Sequence, residues 1–101
     1  SGNRRGPRRA ASDVYKRQRV LAVNPGKAEV AVGSSDGFIR IVDLHKLEIT
    51  HAWPAHTNSV FALAYTPGTP GLLSGSRDAR LKAWRADQAY TPAAEVVAHL
   101  F

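Results

Sequence analysis

Residues 20–43 and 62–85 lie over one another without a gap, at a shift of 42 (20 onto 62). Pro25 falls on Pro67, Gly26 on Gly68, Gly33 on Gly75, Ser34 on Ser76 and Asp36 on Asp78. Ala22 meets Ala64, Ile39 meets Leu81 and Arg40 meets Lys82. Farther on, Ala55-His56 returns as Ala98-His99 one residue late, which places one inserted loop residue in the second copy. A collinear period of about 40–45 residues marks a repeat architecture, in which each unit buries its apolar face against its neighbours.

Each copy reads as four short strands. The first is near-continuously apolar, Val20 to Val23 and Val60 to Tyr65, a pattern that suits burial on both faces. Proline and glycine then set a turn, at Asn24-Pro25-Gly26-Lys27 and at Thr66-Pro67-Gly68. The second strand runs Val30 to Gly33 and Leu72 to Gly75. Asp36-Gly37 is a strong hairpin signal, with Asp78-Ala79 in its place in the second copy. The third strand covers Phe38 to Val42 and Arg80 to Trp84. A fourth, Leu47 to Trp53, puts Leu47, Ile49, His51 and Trp53 on one face by strict alternation, and ends at Pro54, where a missing N–H costs least. Its counterpart is expected at Ala94 to Ala98. No helical period is visible, so the fold class is all-β, as two four-stranded antiparallel sheets.

The net charge of +6 sits in one place. Residues 1–19 hold Arg4, Arg5, Arg8, Arg9, Lys16, Arg17 and Arg19 against Asp13 alone, whereas the rest of the chain carries seven basic and seven acidic residues. The part that reads as folded is therefore neutral, and the excess says nothing of its surface. Residues 1–18 lack periodicity and are rich in Arg, Gly, Ser and Pro; they are expected to form a disordered basic leader. The stretch Ser12 to Gln18 resembles translated adapter sequence, which sets the leader apart from the native fold. The alternative is a basic arm that contacts nucleic-acid phosphates.

His56, Ser74-Gly75-Ser76-Arg77-Asp78 and Trp84 resemble the signature of the WD-repeat β-propeller family. The resemblance implies a structural hydrogen-bond chain through His56, Ser74, Asp78 and Trp84. The donor and acceptor inventory allows it: carboxylate to imidazole, imidazole to hydroxyl, hydroxyl oxygen to indole N–H. The first copy departs from the pattern, with Val32 for the Ser and Val42 for the Trp, and is expected to hold by apolar packing. The implied organisation is a leader at 1–18, a degenerate first repeat at 19–56, a second at 57–98 and the start of a third at 99–101. Two repeats do not close a ring of 4–8 blades. An incomplete propeller is expected, marginal alone and exposing apolar faces where further blades belong.

Little in the chain suggests catalysis. His56, Ser74 and Asp78 imitate a catalytic triad, but the family buries these side chains. His45 and His51 have no carboxylate or His at ligand spacing, so no metal site is expected. No phosphate loop occurs, and no cofactor is expected. Trp53, Tyr65 and Tyr90 read as packing residues, without a basic surface around them to stack nucleic-acid bases. The absence of cysteine and of a signal pattern suits a cytoplasmic address. The functional expectation is a non-catalytic scaffold for a protein or peptide partner. The resemblance maps the partner-binding loops onto Ser34 and Ser35, Thr57, Asn58 and Ser59, and Ser76 and Arg77. The alternatives are a regulatory propeller domain of a larger multidomain enzyme, and nucleic-acid binding through the N-terminal arm.

Overall fold

The computed structural model describes residues 20–97, so the expected leader at 1–18 and the expected third repeat at 99–101 lie outside the described residues. Eight strands follow in order: β1 (Val20–Val23), β2 (Glu29–Gly33), β3 (Phe38–Asp43), β4 (Glu48–Pro54), β5 (Val60–Tyr65), β6 (Gly71–Ser76), β7 (Arg80–Arg85) and β8 (Thr91–Val97). They form two antiparallel four-stranded meanders, β1-β2-β3-β4 and β5-β6-β7-β8. Among the described residues the only helical element is a three-residue 3-10 turn at Ala86–Gln88.

The turns explain the strand order. Asn24 accepts from the Gly26 amide through its side chain at 2.9 Å, while its own amide donates to Glu29 at 3.0 Å, so the β1–β2 connection closes on itself. Gly37 takes φ +86, a left-handed value that a side chain resists, and any Cβ there would collide with the His56 carbonyl. The second copy places Ala79 at φ +65 in the same position. The inserted residue of the second repeat also finds its place: the β3–β4 connection spans 44–47, whereas the β7–β8 connection spans 86–90. Ala89 and Tyr90 absorb that extra length with positive φ.

One core lies between the two sheets. Ala31, Ile39 and Ile41 of the first sheet meet Val60, Leu72 and Trp84 of the second, with Tyr90 from the β7–β8 connection. Ile39, Ile41, Val60 and Leu72 are fully buried, each contributing roughly 1.5–3 kcal/mol of apolar transfer. Gly33 lets the sheets approach, since a Cβ on it would stand 2.6 Å from Val60 Cγ1.

Three strand expectations need correction. The first strands are not buried on both faces: Leu21 is 63% exposed and Val23 and Phe61 are also exposed. Each sheet stacks on the other through one face only, so a continuous apolar run still alternates in burial. The strict alternation expected for β4 also fails. Ile41 pairs with His51 but Val42 pairs with Ile49, so Thr50 is a bulged extra residue and Ile49 changes face relative to His51 and Trp53. Leu47 lies before the strand, in the turn, at φ +56. Finally, β8 begins at Thr91 instead of Ala94, and it carries the matching bulge between its partners to Ala83 and Trp84.

Candidate interaction face

Three connections gather at one end of the strands: residues 34–37 between β2 and β3, 55–59 between β4 and β5, and 77–79 between β6 and β7. Backbone bonds tie them together. The His56 amide donates to Gly37 at 3.0 Å, Val60 to Ser34 at 3.1 Å and Arg77 to Ser59 at 3.1 Å. The end of the two-sheet unit is thus one bonded surface and not three loose loops.

Beneath it runs a buried polar chain. His56 Nδ1 lies 3.0 Å from Asp78 Oδ2, and His56 Nε2 lies 2.8 Å from Ser74 Oγ. Trp84 Nε1–H donates to Ser74 Oγ at 2.9 Å. Asp78 also accepts from the Thr57 and Arg80 amides at 3.2 and 3.0 Å. Burial lowers the His56 pKa, and outweighs the raising effect of the Asp78 carboxylate beside it. His56 is therefore held neutral: Nδ1–H donates to Asp78, and Nε2 accepts from the Ser74 hydroxyl. Burial also acts to raise the Asp78 pKa, but the bonds from His56 and the Thr57 and Arg80 amides hold it below the usual carboxylate value.

This order of contacts is that of a hydrolytic triad, yet it is not set up for that chemistry. Ser74 is 2% exposed and its oxygen is already engaged by the indole N–H, so a substrate carbonyl has no approach to it. Among the described residues no three His, Asp or Glu side chains gather to hold a metal ion. A groove of about 510 Å³ exists, but at the opposite rim, between the β1–β2 and β5–β6 turns, and no candidate loop residue lines it.

The first copy solves the same turn differently. Asp36 accepts from the Phe38 amide at 3.0 Å and from Arg40 Nη2 at 3.1 Å, and Arg40 Nη1 donates to Ser34 Oγ at 3.1 Å. Arg40 fills the role that His56 has for Asp78. In the sequence Arg40 stands out only as a repeat position; its spacing of four from Asp36 across a hairpin is the signal of this contact. Lys82, its repeat equivalent, donates to the Ala55 carbonyl at 2.6 Å.

The candidate loop residues separate into two groups. Ser35, Thr57, Asn58 and Arg77 are exposed, and Ser59 is half-buried. Ser34 and Ser76 are buried, which corrects their placement among partner-contacting residues. The Ser76 hydroxyl is directed at the Asn58 and Ser59 carbonyls, at 3.1 and 2.8 Å, and Ser34 Oγ receives Arg40; both side chains brace the loops from within. Trp53, Tyr65 and Tyr90 join the sheets instead of lining the face. Trp53 stacks on Tyr90 with centroids 5.3 Å apart and meets Trp84 edge-on at 5.2 Å. The Tyr65 and Tyr90 hydroxyls are 2.8 Å apart, and Tyr90 donates to Glu29 of the first sheet. His51 packs against Tyr90, and His45 is exposed in the β3–β4 turn.

Two four-stranded meanders stacked face to face, each with its third-strand connection closed by a bonded Asp, define a pair of β-propeller blades. Residues 47–85 match the WD domain, G-beta repeat, and with the fold this identifies a fragment of a WD-repeat β-propeller. The kinesin-like protein KIF21B of Mus musculus is 41% identical over 68 residues, covering 66% of this chain and 4% of that protein. The U5 small nuclear ribonucleoprotein 40 kDa protein of Bos taurus is 34% identical over 58 residues, covering 57% of this chain and 16% of its own length. The chain thus spans a small part of the curated relatives it matches. Among solved structures, Sqt1 of Chaetomium thermophilum superimposes with a TM-score of 0.70 at 29% identity, over 75% of this chain and 20% of that one. Sqt1 has also been crystallised bound to the N-terminus of the ribosomal protein L10.

Proposed function

We propose that this blade pair serves a non-catalytic scaffold that holds a protein or peptide partner against Ser35, Thr57, Asn58, Ser59 and Arg77. The observation that carries the reading is the bracing of this rim. Ser76 and Asp78 bond the loops from below, so exposed side chains stand on a backbone already fixed before a partner arrives. A prearranged surface loses little conformational entropy on binding. The buried state of Ser74 and the neutral His56 support a structural role for the one constellation that resembles an enzyme site. Sqt1, similar in fold and sequence, was captured with a protein segment bound, which supports a partner of that kind. The described residues carry equal numbers of basic and acidic side chains, so they offer no charge excess to attract nucleic acid.

The test is a tagged protein carrying Arg77→Glu with Asn58→Ala, compared with the wild type for co-purifying proteins and for thermal midpoint. Loss of a specific partner with an unchanged midpoint is expected. Parallel loss of both would show that these residues serve folding, and a wild-type protein that recovers no specific partner would defeat the scaffold reading.

A further inference from the structure

The side-chain carboxamide of an asparagine lies within reach of the next residue's backbone nitrogen, and attack there closes a cyclic imide. The attack needs a following residue with an N–H, an N–H not engaged by another carbonyl, and a side chain turned toward it. Two asparagines lie among the described residues. Asn24 precedes Pro25, whose nitrogen carries no hydrogen, and its side chain is held by Glu29 and the Gly26 amide. Asn58 precedes Ser59 and stands exposed in a bend. Among the described residues the Ser59 amide has one partner, Oδ1 of Asn58 at 2.7 Å. The carbonyls on either side of it are pinned. Those of Asn58 and Ser59 converge on the Ser76 hydroxyl, at 3.1 and 2.8 Å, and the Ser59 carbonyl also accepts from the Arg77 amide. The peptide is therefore fixed with its N–H toward the Asn58 side chain, and the carboxamide carbon is one bond beyond the oxygen already in contact.

By sequence the pair Asp36-Gly37 looks the more reactive, because glycine crowds the attack least. The fold disarms it. The Gly37 amide donates to the Ser34 carbonyl at 3.1 Å, and the Asp36 carboxylate is turned to the Phe38 amide and Arg40.

We propose that Asn58 is a self-modification site, converted in the folded chain to aspartate and isoaspartate by its own backbone. Base removes the Ser59 N–H proton, and the nitrogen's electron pair forms the bond to Asn58 Cγ. The tetrahedral centre expels the side-chain nitrogen, which takes up a proton and leaves as ammonia. Water then adds to one of the two imide carbonyls, the bond from that carbon to nitrogen breaks, and the nitrogen regains its proton. Breakage at Cγ gives aspartate; breakage at the main-chain carbon gives isoaspartate, with the chain now running through the side chain. No oxidant or reductant is required. Holding nucleophile and electrophile in contact makes ring closure faster than in an unfolded chain that meets this geometry rarely. Either product adds a carboxylate to the rim next to the Ser59–Arg77 backbone bond, and isoaspartate also takes the Asn58 carbonyl away from Ser76. The chemistry is read by mass, so it stands or falls separately from the rim partner, whose test reads co-purification.

The experiment incubates the full 101-residue chain in isotopically heavy water at several pH values, in buffer and in unfolding urea, with peptide mapping at intervals. In buffer, Asn58 is expected to gain one heavy oxygen, at a rate that rises with pH and is about threefold or more above the rate in urea. Isoaspartate, detected by an isoaspartate-specific methyltransferase, is expected at position 58 in both conditions and at position 36 in urea alone. Hydroxylamine, which cleaves imides, is expected to cut the ageing chain between residues 58 and 59. Asn58→Gln, which would have to close a larger ring at the same exposed position, is expected to stay unmodified over the same interval. Conversion of Asn58 no faster in buffer than in urea, a product without isoaspartate, or isoaspartate at position 36 in buffer would each overturn the proposal. A chain unfolded in buffer gives equal rates and overturns it as well.

Discussion

Ser74→Ala removes one oxygen and disturbs two neighbours. The hydroxyl donates to His56 Nε2 and accepts from Trp84 Nε1–H, all within a core where Ser74 is 2% exposed. With alanine in its place, an indole donor and an imidazole acceptor are left buried and unpaired. Each costs about 1–3 kcal/mol, so a destabilisation of about 2–4 kcal/mol is expected, less a small gain from no longer burying a hydroxyl. That is a large share of the ~5–15 kcal/mol that holds a domain folded. Trp84→Phe supplies the control, because it removes the donor itself and leaves Ser74 still bonded to His56. In that background Ser74→Ala orphans only the imidazole, so its cost should fall by about 1–2 kcal/mol. Urea unfolding of the chain and its three variants, followed by tryptophan emission and far-UV circular dichroism together, gives the cycle. At a slope of roughly 1–2 kcal/mol per molar urea, the Ser74→Ala midpoint should drop by about 1–4 M. A Ser74→Ala cost below about 0.5 kcal/mol, or costs for Ser74 and Trp84 that simply add, would refute the argument that the chain acts as a unit.

The two turn aspartates offer a paired comparison: Asp78→Ala should cost about 2–3 kcal/mol, since it unpairs buried His56 and the Thr57 amide, whereas Asp36, half exposed and bonded to Arg40, should cost about 1 kcal/mol or less in the same urea assay. Stability should also fall on acidification. The folded-state pKa of His56 lies below its ordinary value of 6.5, so the unfolded chain binds the proton more readily; the contribution is complete above 6.5 and is lost as pH drops toward the lowered value, with Asp78 adding a second loss below 3.8. Thermal midpoints measured between pH 8 and 3 should show both steps, and His56→Gln should abolish the upper one.

Much of this architecture is written locally. Turn chemistry at Asn24-Pro25-Gly26 and Asp36-Gly37 depends on a few adjacent residues, and the 42-residue shift exposes the blade without any coordinates. The set His56, Ser74, Asp78 and Trp84 was implied by the resemblance to the WD-repeat family, and the donor and acceptor inventory of those side chains permits the order in which the structure joins them. Other features depend on residues distant in sequence. Thr50 is bulged because β4 must keep register with β3 on both sides of it, and no period-of-two pattern announces where a ladder slips. Ser34 and Ser76 look like exposed loop serines until the neighbouring carbonyls of Asn58 and Ser59, and the guanidinium of Arg40, are placed beside them.

The sequence alone therefore determined the blade unit and its turns, since these arise from neighbours in the chain and from a repeat that states them twice, whereas the polar chain occurs in the second copy alone and was legible only through the family resemblance. The tertiary structure alone decided which face of each sheet is covered. Apolar residues on both sides of β1 and β5 are equally willing to be buried, and only the stacking of Gly33 on Val60, with Tyr90 reaching across to Glu29, selects one side over the other. Hydrophobic burial has no preferred direction; the closeness of approach that glycine and a single buried hydroxyl permit supplies it.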